Sequence, residues 1–269
     1  RAGMFRFPYD RSPVDTVAPE LRGARLDLAE VMFGKVEKSG AIKGRVHFDD
    51  AIAIDGGSTW CEEILVPQIL SAPKPTTFQH YLTQDGTKGK DQLTTYLDGD
   101  TTTIRGHKLY WHRWDVSGGI SQIKESKNLQ DNQHTRIQPV KAGVTFTGRV
   151  HFENLTALEL GVLLHALQLP DGCCHRLGMG KPIGLGSIRV SSRLKIIDRS
   201  VRYSEWQSSG VQEAADDSHF RRTFEQAIQD HARRSRETML DGQDGLRKIA
   251  RLDAFFRLLE WANRPTPEQ

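Results

Sequence analysis

A chain of 269 residues is long enough for one large domain or two small ones around a substantial buried core. Apolar residues make up 37% and charged residues 26%, the balance of a soluble globular protein, and no apolar run approaches the ~20 residues that cross a bilayer. The formal charge of +3 is mild, so composition alone demands no nucleic-acid partner and the placement of charge has to be read instead.

The opening RAGMFRFPYDRSP is polar and broken by proline, unlike a signal peptide, and its first residue, Arg1, suggests a processed or truncated start. Residues 1–25 read as an irregular arm. LDLAEVMF (26–33) has helical spacing and stops at Gly34. Then comes GRVHF (44–48), a strand followed by Asp49. Residues 55–79 mix Gly56, Gly57, Pro67, Pro73 and Pro75, which favours loop or edge structure. The polar stretch 83–103, with two Asp-Gly turns, reads as a flexible excursion, and the aromatic and basic IRGHKLYWHRW (104–114) as a strand. Residues 115–135 are again polar and weakly patterned.

GRVHF recurs at 148–152, followed by Glu153. Thr156-Ala157-Leu158-Glu159 is a capping-box pattern, so a leucine-rich helix is expected to about Leu169, ended by Pro170-Asp171-Gly172. The glycine-rich LGMGKPIGLGS (177–187) leads to an expected long strand at 188–197. Residues 218–238 and 245–262 have helical spacing, with Phe220, Phe224, Ile228, Phe256 and Leu259 on inner faces. The expected class is α+β. The expected layout is an arm at 1–25, a core at 26–200 with inserts at about 52–103 and 115–138, and a helical extension at 201–269.

Alternation along a strand sends neighbouring side chains to opposite faces. In the first GRVHF copy Ile42, Val46 and Phe48 then share an apolar face, and Lys43, Arg45 and His47 a polar one. In the second, Phe146, Val150 and Phe152 oppose Thr147, Arg149 and His151. After the glycine loop, Ile188, Val190, Leu194 and Ile196 oppose Arg189, Arg193 and Lys195. If the three strands share one sheet, its polar face is basic, and phosphates are the natural ligand for clustered Lys and Arg. Exposed sheet faces are also Lys/Arg-rich simply for solubility and edge protection.

The loop with Gly178, Gly180, Gly184 and Gly186 is no Walker motif: His175 stands where the first glycine is needed and Pro182 where Ser or Thr is. Nor is it a Rossmann fingerprint, since the spacing is G-x-G-x-x-x-G and the loop is expected to run from helix to strand. What remains is close backbone approach and bare N–H groups for oxyanions, with Lys181, His175 and Arg176 adding charge.

AEVMFG…GRVHFDDA (29–51), PKPTTFQHYL (73–82), IRGHKLYWHR (104–113), FTGRVHFENLTALELGVLLHAL (146–167) and LGMGKPIGLGSIRV (177–190) occur in this order. Together they resemble the repeat-associated (RAMP) superfamily of CRISPR proteins, best the type III effector backbone subunits of a large-insert branch. The resemblance covers about residues 26–197 and, more weakly, the LDAFFRLLEWANRP tail. It implies a ferredoxin-like or RRM-like core that grips the crRNA backbone in a cytoplasmic ribonucleoprotein and presents it to target RNA beside other effector subunits. It implies no cofactor for binding, Mg²⁺ only for a nuclease, and no membrane partner. The RNA-binding residues expected from residues and resemblance together are Arg45, His47, Arg149, His151, His175, Arg176, Gly178, Gly180, Lys181, Gly184, Gly186 and Arg189. The GRVHF strands lack the paired aromatics with which an ordinary RRM stacks bases, so backbone contact is the expected mode.

Nothing before residue 26 matches the family well, with Pro19–Gly23 at best a remnant, so the catalytic Asp of nuclease members has no counterpart here and the chain reads as a C-terminal fragment. Asp49-Asp50, Asp98 and Asp100 are the carboxylates available for Mg²⁺ or RNA cleavage, although Asp98-Gly99-Asp100 also suits an ordinary turn. A metal-dependent endoribonuclease using Asp98 or Asp100, and a scaffold that contacts only protein, are the alternatives. Cys61, Cys173 and Cys174 make no disulfide framework and suit a reducing compartment, and Cys173-Cys174-His175 lacks the C-x-x-C spacing of a zinc site. His107, Trp111 and His112, near Arg105 and Lys108, read equally as RNA contacts and as ordinary strand residues.

Overall fold

The computed structural model describes residues 13–17, 26–38, 40–54, 60–67, 74, 77–99, 102–113 and 135–265. The chain divides into two compact units, Arg1–Asp27 with Ile69–Leu109, and Leu28–Gln68 with Tyr110–Gln269. Helices and short antiparallel sheets are mixed along the chain, which is the expected α+β class.

In the larger unit, α1 (Leu28–Phe33) lies where the spacing predicts it and gives way to Gly34. β1 (Lys35–Glu37) and β2 (Gly40–Ile42) form a hairpin. β3 (Val46–Phe48) carries the first GRVHF copy, and β4 is Ile52–Ala53. β5 (Phe146–Thr147) and β6 (Val150–Phe152) carry the second. The repeat pairs with itself: β3 and β6 are antiparallel, with Val46 opposite Phe152, His47 opposite His151 and Phe48 opposite Val150.

Beyond this pair the register slips. Asp49 N–H donates to Arg149 O at 2.9 Å, whereas Ile52 pairs with Thr147 and Ala53 with Phe146. Asp50 and Ala51 therefore oppose Gly148 alone, which is a β-bulge. The two segments continue to meet at the bridges Cys61 to Val140 and Leu65 to Ile137.

Helix α2 (Ala157–Leu167) starts at the expected capping box: Thr156 accepts from the Glu159 N–H and Glu159 accepts from the Thr156 N–H. Its Leu163 buries with Met32 of α1 and Val46 of β3, flanked by Val150, Phe152 and Leu155. Leu160 and Leu164 bury with Leu194 on another side, against Ala214 and Phe220. Apolar area removed from water stabilises these layers by roughly 25 cal/mol per Å².

The expected strand at 188–197 is broken. After β7 (His175–Arg176), β8 (Ser187–Ile188) pairs with it, whereas β9 (Lys195–Ile197) pairs with β10 (Val211–Glu213). Each half has found its own short partner, so the two GRVHF strands share one sheet while the third basic segment is divided between two others, and no single basic sheet forms.

A helix α3 (Arg199–Ser204), unmarked in the sequence reading, lies between β9 and β10. Then α4 (Ser218–Arg234) packs on α2, and α5 (Ala250–Leu259) follows a 3-10 turn at Gly245–Lys248. Cys173, Leu246, Phe256 and Leu259 bury together with Phe224 and Ile228 packed on them. Buried Asp253 receives Arg247 at 2.9 Å and Arg257 at 2.7 Å, while Arg247 also reaches Glu260 at 2.6 Å. The described residues beyond 200 thus share a core and a sheet with those before it.

In the smaller unit Leu82 and Tyr96 are buried. The polar stretch is stitched by its own side chains. Gln84 brackets Thr94 with two hydrogen bonds of 2.8 and 2.9 Å, and Asp85 closes a turn on Thr87. The expected strand at 104–114 reduces, in its described part, to one bridge between Ile104 and Leu82. Gly106, at φ +118°, leaves the extended region at once.

The tightest helix contact is at Gly161 of α2. A Cβ there would sit 2.1 Å from the Phe220 carbonyl oxygen of α4. Gly161→Ala therefore forces α2 and α4 apart despite its better helix propensity, with an expected loss of about 1–3 kcal/mol in urea unfolding.

Candidate nucleic-acid interface

The glycine-rich segment is a hairpin loop. His175 pairs with Ile188 and Arg176 with Ser187, so the loop runs from strand to strand and not from helix to strand. Leu177 N–H donates to Gly186 O at 2.8 Å to close its neck. Only glycine fits there, since Gly186 has φ +79° and a Cβ would lie 1.7 Å from Leu177 O. Met179 stands at the tip, 92% exposed.

Arg176 organises this loop from inside. Its guanidinium donates to Gly184 O (3.1 Å), Lys181 O (2.5 Å) and Ser187 Oγ (2.7 Å). Two loop carbonyls are thereby engaged, while the N–H groups of Gly178, Met179 and Gly180 donate to no described residue. Burial, and then the charge of Arg113, lowers the Arg176 pKa, and its Nε is buried without a partner.

Arg113 lies across the hairpin: a Cβ on Gly184 would be 3.0 Å from its Cδ. A buried histidine holds that segment in place. Ser187 Oγ, which accepts from Arg176, donates to His112 Nδ1 at 2.7 Å, and His112 Nε2–H donates to Cys174 O at 3.1 Å. Cys174 O can only accept, so Nε2 carries a hydrogen, and in the neutral ring that burial favours Nδ1 is the acceptor. The edge of Trp261 packs on the ring, with centroids 5.4 Å apart. Burial, the main cause, lowers the His112 pKa, with Arg176 and Arg264 adding to it. His112 is a core histidine, and next to it Trp111 is half exposed.

Among the described residues no carboxylate pairs with Arg113, Arg176, Lys181 or Arg189. Arg113 was missed in the sequence reading. The basic, aromatic run 104–114 was the one signal, and nothing in it shows that this run crosses a loop seventy residues later.

The GRVHF face differs from expectation. Arg45 sits in a bend before β3 and turns away from His47. Its guanidinium pairs with Glu159 at the start of α2 and donates to Asn154 O at 2.6 Å and, at 3.4 Å, to Val31 O. Arg45, first among several causes, lowers the Glu159 pKa. His47 and His151 stand opposite each other on the exposed face, where His151 Nε2 meets Asp49 Oδ2 at 2.8 Å and Lys43 meets Glu153 at 2.5 Å. Arg149 is exposed with no carboxylate partner among the described residues. The face is mixed in sign, and strand alternation alone overstated its basic character.

His175 gives its Nε2 to Leu167 O at 2.8 Å, tying β7 to the end of α2. Cys173 and Cys174 are buried thiols, the first with its pKa pushed up by burial. Among the described residues no group of three His, Cys, Asp or Glu is arranged to hold a metal ion. Asp98 accepts from the Thr95 N–H and, at 2.9 Å, its Oγ1, which is turn chemistry. Asp100 lies outside the described residues, as do Trp114 and 115–134. His107, Arg105 and Lys108 belong to the smaller unit. No helix among the described residues is long and apolar enough to cross a membrane.

No protein-family model matches the chain, and no curated protein matches it. The geometry of the hairpin is therefore the ground on which function rests.

Two predictions concern half-buried groups at the two ends of α2. Arg45→Ala lowers the urea midpoint, because it strips Glu159 of its cation. Arg45→Lys restores only part of the loss, since an ammonium cannot reach the carboxylate and the carbonyls in one plane. His165 in α2 is half-buried, and burial, the largest cause, lowers its pKa although Glu225 lies 3.4 Å away. For both His112 and His165 the fold favours the neutral ring. As pH falls below the ordinary histidine value of about 6.5, the unfolded chain takes up these protons first and stability is lost. His165→Gln is expected to flatten the fall in unfolding midpoint between pH 7 and pH 5.

Proposed function

We propose that this chain is an RNA-binding subunit of the RAMP type, in a type III CRISPR ribonucleoprotein, that grips the crRNA backbone and helps present it to target RNA. The observation that carries this reading is the Arg176 hairpin. A partly buried guanidinium, crowded by Arg113 and beside Lys181, has no carboxylate among the described residues. A cation withdrawn from water without a counter-charge is unfavourable. An anion at the loop supplies that charge.

The anion that fits is a phosphodiester. The tip of the hairpin, residues 177–179, is exposed to a strand passing over it, and its free donors are backbone N–H groups with no reading of base identity. Gly178 leaves open space beside the chain: a Cβ placed there meets nothing within 4 Å. The ordered motifs in the sequence favour the same class, and β3 and β6 with α2 on their apolar face are the kind of piece from which a ferredoxin-like core is built. On this reading other effector subunits and target RNA are the partners, the setting is cytoplasmic, and binding requires no metal.

The test is binding of a short single-stranded RNA across a salt series. Affinity is expected to fall with salt, because each phosphate contact releases counterions. Lys181→Ala and Arg113→Ala are each expected to weaken binding and to reduce the salt slope by about one, similarly for all sequences. Salt-independent binding, or slopes unchanged in both variants, counts against the proposal. Arg45→Ala, whose guanidinium is already taken by Glu159, serves as the control that changes stability and leaves the slope alone.

A further inference from the structure

The segment between β9 and β10, helix α3 and the turn after it, has no part in the hairpin and carries the two most exposed aromatic rings among the described residues. Trp206 is 100% exposed and Tyr203 81% exposed. Isolated exposed apolar residues are common, but two aromatics three positions apart on a tied loop are a different matter.

The loop is closed at its neck. Asp198 N–H donates to Gly210 O at 2.7 Å, and Asp198 Oδ1 accepts from the N–H groups of Ser200 (2.9 Å) and Val201 (3.2 Å). Gly210 is buried at φ +65°, and a Cβ there would lie 2.5 Å from Asp198 O and 2.6 Å from Arg202 Cβ. Inside the neck, Glu205 N–H reaches Val201 O and Ser208 N–H reaches Glu205 O, both at 3.0 Å. Thirteen residues, helix α3 and the turn after it, are thus tied at their ends into one compact excursion between β9 and β10. Such a loop holds its rings in water instead of folding them against the core.

The surroundings select the ligand. Around these rings the sequence is RSVRYSEWQSSG, polar at eight of its twelve positions, with two arginines to one glutamate. Arg199 and Arg202 are exposed and have no carboxylate partner among the described residues. A nucleobase needs only a π face to stack on and a nearby cation for its phosphate.

We infer that the Asp198–Gly210 loop is a stacking site for unpaired nucleobases, with Trp206 and Tyr203 as platforms and Arg199 and Arg202 for the adjoining phosphates. The site shares only its ligand class with the function proposed above. It adds contact with bases to a chain whose glycine hairpin meets the backbone.

The experiment compares a labelled oligoadenylate RNA with an abasic strand of the same length, by fluorescence anisotropy on the full chain. Wild-type protein is expected to bind the oligoadenylate about tenfold more tightly, in the range of stacking on one aromatic residue. Trp206→Ala is expected to abolish that preference and leave abasic-strand affinity and thermal stability unchanged, since the ring touches nothing in the fold. Tyr203→Ala reduces the preference, and Trp206→Phe keeps most of it. An unchanged preference in Trp206→Ala overturns the inference, as does no binding of either strand. Trp206-dependent self-association in sedimentation, without a base preference, also overturns it and marks a protein surface. Failure of the hairpin reading is separable: abasic-strand affinity then ignores Lys181→Ala, while the ratio of the two strands still reports on Trp206.

Discussion

One carboxylate holds the base of the larger unit together. Glu159 accepts from the Thr156 N–H at 2.7 Å, from Thr156 Oγ1 at 3.0 Å and from the Arg45 guanidinium. The first two contacts start α2, and the third fastens that start to the residue before β3. Because Arg45 also reaches the Val31 and Asn154 carbonyls, α1, β3, the turn after β6 and α2 meet at one side chain. Burying Met32, Val46 and Leu163 together requires those elements in this arrangement. The apolar layer supplies most of the favourable free energy, and the ion pair fixes which elements share it.

Arg176 uses the same chemistry to another end. Like Arg45 it gathers backbone carbonyls, two of them from the glycine hairpin. Unlike Arg45 it meets no carboxylate among the described residues, and a second arginine lies close by. Carbonyl dipoles offset part of the cost of burying the cation, but two neighbouring guanidiniums still repel. The bonds of His112 to Ser187 and Cys174 tie the residue beside Arg113 to the base of the hairpin. On the proposed reading, an anion at the hairpin would offset that repulsion without a rearrangement of these groups.

Local signals account for what was legible in the sequence. The start of α2 was marked by Thr156 and Glu159, the end of α1 by Gly34, and the two GRVHF strands by alternation. Each of these depends on residues a few positions apart. Pairing of the two copies was not legible, because a repeated strand does not say whether it pairs with itself. Nor was the bulge at Asp50 and Ala51, which appears only once Gly148 is opposite. The turn of Arg45 toward Glu159 follows from the strand beginning one residue later, at Val46. The loop glycines were legible as a turn, whereas Arg113 became part of the site only through His112, whose partners Cys174 and Ser187 are more than sixty residues away.

On the proposed readings, the hairpin and the Asp198–Gly210 segment represent two ways of holding a nucleic acid. Between Leu177 and Ser187 there is no aromatic residue, and the available groups are cations and N–H donors. Between Asp198 and Gly210 there are two exposed rings beside two exposed arginines. Charge acts on phosphates, is blind to base identity and weakens as salt rises. Stacking acts on bases, needs them unpaired and depends little on ionic strength, because the surface it buries is mostly uncharged. On the two proposed readings, a chain with both would retain a grip on single-stranded segments under conditions where charge alone lets go. A fully paired duplex would then be open only to the hairpin, because its bases are already stacked on one another.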